Sequence, residues 1–157
     1  MSGTVTLRAA RLDDAARLFA WANDPVARSA SAHGEPIPWD THVAWLGASL
    51  ASDARHLYVA ERDGAPIGTA RLDRDEGDAR SAVVSLNVAA DARGRGAGRA
   101  LLLALADEAR RLGYVRLLAF VKASNVASSR AFLATGYALA GDAVLGGAAA
   151  HRYEHSL

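Results

Sequence analysis

Read as a run of apolar and polar positions, the chain alternates between two periods. Val5 to Ala9 alternates with period two, which predicts a strand. The run "RLDDAARLFAWAND" then places Leu12, Ala15, Ala16, Phe19 and Ala22 on one helical face until Asn23-Asp24-Pro25 stops it. "SASAHGEPIPWD", with two prolines, predicts a loop, and "DTHVAWLGASLAS" resumes a helical period with Val43, Leu46 and Leu50 aligned. "HLYVAERDGAPIGTARLD" predicts a hairpin folded about Asp63-Gly64, and a charged loop "RDEGDAR" leads to a third strand, "SAVVSLNV". A long helix follows, with Leu101, Leu102, Leu105, Ala109 and Leu112 as its buried stripe and Gly113 as its stop. "YVRLLAFV" predicts a strand, "SNVASSRAFLATG" a short helix closed by Gly136, and "YALAGDAVLGGAAAHRYEHSL" a strand pair around Gly146-Gly147. The order β-α-α-β-β-β-α-β-α-β-β predicts one α/β (α+β) domain over residues 1–157. A mixed central sheet of about six to seven strands is flanked on both faces by about four helices.

Composition changes this picture little. The chain is 51% hydrophobic and 22% charged with a formal net charge of +1, so neither disorder nor a nucleic-acid partner is expected. The absence of cysteine excludes disulfides, thiolate metal sites and a cysteine nucleophile, and no metal is expected. The opening "MSGTVTLRAARLDDA" lacks a basic region followed by an apolar core, and no apolar run approaches the ~18 residues of a membrane span. The expectation is a cytoplasmic protein without a membrane partner.

The chemistry concentrates in "VAADARGRGAGRALLLALADEARRL", Val88 to Leu112, where three arginines interleave with three glycines before a helix. Helix N-terminal N–H groups and the helix dipole favour an anion there, and glycines allow the backbone to close around it. The loop lacks the GxxxxGK[ST] pattern of a nucleoside-triphosphate loop, and Arg99 occupies the place of the third glycine in GxGxxG, which disfavours ATP and NAD. An ordinary flexible turn is the alternative.

"RGRGAG", Arg93 to Gly98, fits the R/Q-x-x-G-x-G/A signature of the GNAT N-acetyltransferases, and "NVASSRAFLATGY" resembles that family's segment on the following helix. The resemblance covers nearly the whole chain and implies the GNAT fold with acetyl-CoA as cosubstrate. It implies cofactor contacts from Leu86, Asn87 and Val88 on the strand. Arg93, Gly94, Arg95, Gly96, Ala97, Gly98 and Arg99 would contact the pyrophosphate, and Asn125 and Ser128 would lie near the arm of the cofactor. A simple helix cap is the other reading of Asn125. Many members carry a general-acid tyrosine where this chain has Phe132, and Tyr137 stands where the family usually places a packing aromatic. Ser85, Asn87 and Glu61 are the candidates for a water-mediated base, with Glu35 and His42 further acceptors of the proton.

"WANDP" and "PIPWDTHVAWL" resemble a subgroup that acetylates the 4-amino group of nucleotide-linked deoxy sugars. That resemblance implies an amino-sugar acceptor, with Arg28, Glu35, Trp39 and His42 as substrate-binding residues and Trp39 in a loop as a wall of the site. Ala22 stands where some members have an arginine. A protein N-terminal, ribosomal-protein or other small-amine acetyltransferase and a non-catalytic coenzyme A-binding domain are the alternatives. A homodimer through the closing hairpin is a further possibility.

Overall fold

A computed structural model describes residues 4–157; the first three residues of the stretch read for a leader lie outside the described residues. The elements run β1 (Val5–Ala9), α1 (Ala15–Ala22), α2 (Pro25–Ala30), α3 (Trp39–Ala51), β2 (Arg55–Arg62), β3 (Ala65–Arg74) and β4 (Ser81–Val88). They continue as α4 (Ala97–Arg111), β5 (Arg116–Lys122), α5 (Val126–Ala134), β6 (Ala138–Leu145) and β7 (Ala148–Ser156). The seven strands form one sheet in the order β1-β2-β3-β4-β5-β7-β6, in which only β4 and β5 run parallel. Among the described residues, no helix is long and apolar enough to cross a membrane.

Alternation along the strands sorts the core into two layers. Tyr58 and Ala60 of β2, with Leu72 and Val84, pack under the Leu101, Leu102, Leu105 and Ala109 stripe of α4. Leu57 and Val59, pointing the other way, meet Leu18 of α1 and Leu46 of α3. The β2–β3 hairpin turns at Asp63 (φ 54°) and Gly64 (φ 77°), the left-handed pair a two-residue hairpin turn requires.

The N-terminal third departs from the periodicity. Leu12 lies in a 3-10 turn (Leu12–Asp14) ahead of α1 and is 62% exposed, so the face extrapolated from it is not the buried one; Leu18 is buried instead. α1 ends at Ala22, where Asn23-Asp24-Pro25 is expected to stop it, and Pro25 then starts a further helix, α2: Asp24 caps it, its Oδ2 accepting from Ala27 N at 3.1 Å, and proline suits the first helical turn. Trp39 is the first residue of α3 rather than a loop residue, and α3 buries His42, Leu46 and Ser49, leaving Val43 and Leu50 exposed.

Asp14 is almost fully buried beside α1. Arg8 grips it with two hydrogen bonds of 2.9 and 2.8 Å, Arg11 N donates at 2.9 Å and Arg17 at 3.0 Å. The Arg8 hydrogen bonds outweigh burial and hold the Asp14 carboxyl down at about 2. A carboxyl with a lowered folded-state pKa stabilises the fold above its unfolded value and loses that contribution as pH falls through the folded one. Stability should therefore decline between about pH 4 and 2 in acid-denaturation curves. Asp14→Asn should remove much of that decline and cost about 1.5–3 kcal/mol at neutral pH.

Candidate active site

β4 and β5 pair only at Ser81–Arg116, Ala82–Leu117 and Val83–Leu118. Beyond these, β4 follows β3 as far as the Gly68–Val88 pair, while β5 follows β7 as far as Lys122–Ala150. The strands part because each stays with its own antiparallel neighbour, and the edge from Val84 to Val88 is left without a strand partner on the β5 side. β3 lies very close to β4 here: a Cβ at Gly68 would clash with Asn87 O, so glycine is required there.

The open edge runs directly into the glycine loop. Gly94 (φ 77°) and Gly96 (φ 74°) are left-handed, and a Cβ at either would meet nothing within 4 Å. None of the N–H groups from Gly94 to Arg99 makes a well-formed hydrogen bond to another described residue, so the loop and first turn of α4 present a row of free donors. Arg95 and Arg99 are exposed and have no salt bridge among the described residues. An extended ligand carrying phosphates fits this arrangement: backbone pairing along β4, then N–H donors and positive charge at the helix N-terminus. α5 approaches α4 at Gly98, where a Cβ would make an ordinary van der Waals contact with Ala131 at 3.9 Å.

Arg93 has a different position from the rim of the loop. Its Nε donates to Val88 O at 3.0 Å and its Nη2 pairs with Asp24 Oδ2 at 2.7 Å. The Arg93 guanidinium, with the Ala27 N–H, lowers the Asp24 pKa. Lys122 Nζ donates to Ser29 O at 2.8 Å, so α2 is fastened near its start to the loop after β4 and near its end to the tip of β5. Helix α2 thus straddles the mouth of the gap. Sequence reasoning missed both ties; Asp24 before Pro25 was the available signal for the cap, and nothing local marks Lys122.

Ser85 and Asn87 lie on the sheet face opposite α4. Ser85 Oγ accepts from Arg71 Nη2 at 3.3 Å, and Asn87 Nδ2 donates to Trp21 O at 3.0 Å, while its Oδ1 has no hydrogen-bond partner among the described residues. Glu61 is not brought to them: it lies on β2, beyond β3, paired with Arg8 at 3.3 Å. Asn125 caps α5, its Oδ1 accepting from Ser128 N at 3.3 Å, which leaves its amide N–H groups free on the β5 bank of the gap; Ser128 is half-buried nearby on α5.

The expected substrate quartet is mostly structural. Arg28 donates to Ala22 O at 2.6 Å, His33 O at 3.0 Å, Glu35 O at 3.4 Å and Ser31 Oγ at 3.1 Å, which makes it a clamp for the loop after α2. Glu35 is exposed in that loop. Trp39 meets Phe19 edge-on at 5.1 Å and is 45% exposed, so one face remains open. His42 is 2% exposed between Trp39 and Trp45, with Nε2 at 3.2 Å from Ala15 O, and burial lowers its pKa. An enclosed ring of this kind packs the core. Phe132 is buried against Tyr137 at 4.8 Å, and burial pushes the Tyr137 phenol up.

The sheet thus splits where its parallel pair ends, and a glycine loop with unpaired N–H groups at a helix start stands beside the split. The profile of the Acetyltransferase (GNAT) family matches residues 14–137, and the chain belongs to this family. It is accordingly an N-acetyltransferase with acetyl-CoA as cosubstrate. Comparison with curated proteins finds no significant match. Among solved structures, a ribosomal-protein-alanine N-acetyltransferase from Brucella melitensis is 28% identical, covering 96% of this chain and 99% of its own at a TM-score of 0.82. A spermidine N-acetyltransferase from Vibrio cholerae in complex with CoA and spermine is 20% identical, covering 98% and 95% at 0.88. The aminoglycoside acetyltransferase AAC(6')-Ib with coenzyme A and kanamycin is 20% identical, covering 98% and 95% at 0.86. The last two show a shared fold.

Gly96→Val should abolish acetyl-CoA binding by calorimetry. A β-branched residue disfavours the left-handed conformation by roughly 1–2 kcal/mol or more and would turn the loop N–H groups away. Wild-type affinity in a folded variant would remove the pyrophosphate from this loop.

Proposed function

We propose that this enzyme transfers the acetyl group by direct attack of a primary amine, and that the amine is the 4-amino group of a nucleotide-linked deoxy sugar. The unpaired Val84–Val88 edge carries the first part of this reading. Acetyl-CoA supplies the thioester carbonyl that the amine attacks, forming the C–N bond as the C–S bond breaks. The β4 edge offers backbone N–H donors where negative charge develops on the carbonyl oxygen, and the gap orients the two reactants. The ammonium form of the acceptor must first lose a proton. Ser85 and the Oδ1 of Asn87 border the gap on the acceptor side and hold the water that carries that proton away. Phe132 supplies no acid, and Tyr137 is enclosed.

The sugar acceptor rests on the WANDP and PIPWDTHVAWL segments. These fold into one unit: Asn23 Oδ1 accepts from Ile37 N at 2.7 Å and Asn23 Nδ2 donates to Ile37 O at 3.0 Å, while His42 packs between Trp39 and Trp45. The motif then shapes the floor of the acceptor region, and Trp39 is the member with an open face. A second reading, acetylation of a protein N-terminus, is favoured by the 28% identity to the ribosomal-protein enzyme.

Thiol release from acetyl-CoA with UDP-linked 4-amino-deoxy sugars, peptides with free N-termini, aminoglycosides and polyamines separates these readings. Acceptor-dependent release with the amino sugars is expected. Release with peptides alone would establish the second reading, and silence with acetyl-CoA still bound would make the domain a non-catalytic binder.

A further inference from the structure

The sheet face from which the acceptor approaches follows from the layout. α4 and the free N–H groups of its loop occupy one face, so the amine must reach the gap from the other, where Ser85 and Asn87 lie. Next to Ser85 on that face, in register across β3, stands Arg71. Its Nη2 donates to Ser85 Oγ at 3.3 Å and its Nε to Asp73 Oδ2 at 3.0 Å. Asp73 Oδ1 also accepts from Arg55 Nε at 2.7 Å, and Arg55 Nη1 reaches Ser49 Oγ of α3 at 3.1 Å. Both guanidinium carbons lie 5.7 Å from the Trp45 ring, which holds the two cations about the indole.

One carboxylate therefore serves two arginines. The neighbouring acids do not supply the missing charge, since Glu61 pairs with Arg8 and Asp24 with Arg93. Arg71 Nη1 and Arg55 Nη2 have no acceptor among the described residues. The Arg71 side chain is 27% exposed, open enough to touch a ligand and buried enough for its charge to matter. Burial lowers the Arg71 pKa despite Asp73, as befits a cation short of counter-charge. A net positive charge left in a part-buried site is costly to the fold and is offset when an anion binds. The planar fork of arginine suits a carboxylate or a phosphate, with two parallel hydrogen bonds.

We propose that Arg71, with Arg55 behind it, is the acceptor-specificity determinant: it binds a carboxylate or phosphate carried by the amine substrate. This rests on the acetyl-transfer reading but not on the sugar. A polycation such as the spermine or kanamycin bound in two solved relatives would be repelled at Arg71.

The test uses matched acceptors that differ in the anion: phosphoethanolamine against ethanolamine, an α-amino acid against its amide, and a 4-amino sugar 1-phosphate against the free 4-amino sugar. Spermidine and kanamycin serve as cationic controls. kcat/KM should favour the anionic member of at least one pair by about tenfold or more, as expected of charge-assisted hydrogen bonds. Which pair responds distinguishes carboxylate from phosphate. In Arg71→Gln that ratio should collapse towards one, and Arg71→Lys should restore part of it, with coenzyme A binding as the check that each variant is folded. If Arg71→Gln does not fold, Arg55→Gln takes its place, and a diminished ratio is expected. Turnover with no anionic preference, or a preference unchanged in the folded variants, would overturn the inference while leaving acetyl transfer intact. If no acceptor turns over, calorimetry of the same compounds on the coenzyme A complex decides. Anion-selective binding lost in Arg71→Gln supports the assignment although transfer fails, and its absence in the wild type overturns it.

Discussion

Three residue pairs hold β4 to β5, and then the strands separate. This parting organises the rest of the molecule. A parallel pair has no tight turn to keep it together, and here each strand has a continuous antiparallel partner on its outer side, so the ladders with β3 and β7 win over the one between β4 and β5. The unsatisfied edge that results would be a liability on an ordinary sheet. In this fold it ends in the glycine loop and the start of α4, so free strand groups and free helix groups form one continuous surface. Helix α2, tied to both banks through Arg93–Asp24 and Lys122–Ser29, spans its mouth.

The two faces of the split sheet then have separate duties. α4 and α5 close one face over the main core, and the glycine loop leads into α4 on that face. The other carries α1 and α3 over β2 and leaves Ser85, Asn87 and the Arg71–Asp73–Arg55 set beside the gap. Aromatic packing of Phe19, Trp39, His42 and Trp45 fixes α3 against α1, and Trp45 in turn sets the planes of the two arginines. Packing in the N-terminal third is in this way linked to the chemistry offered to an acceptor.

Much of this was legible in the chain. Ser81 to Val88, the turn at Asp63-Gly64 and the stripe of α4 depend on local period and turn chemistry, and they stand where the pattern put them. α3 was harder because apolar residues occur around much of its circumference. Periodicity admitted Val43 and Leu50 as core, whereas the contact with α1 selected His42, and Arg55 drew in Ser49. Arg28 and Arg93, read as ligand cations, are turned by Ala22 O, Val88 O and Asp24 into internal clamps. Such roles depend on carbonyl positions far along the chain, which no residue type announces. The Arg71 set was invisible for the same reason: its members come from β2, β3 and α3 and meet only across the sheet.

Hydrogen exchange of the backbone amides from Val84 to Val88 and from Gly94 to Arg99, with and without coenzyme A, tests the central claim most directly. Slowed exchange confined to the β4 edge and the loop is the expected result. Coenzyme A binding that leaves both segments exchanging as before would contradict the account.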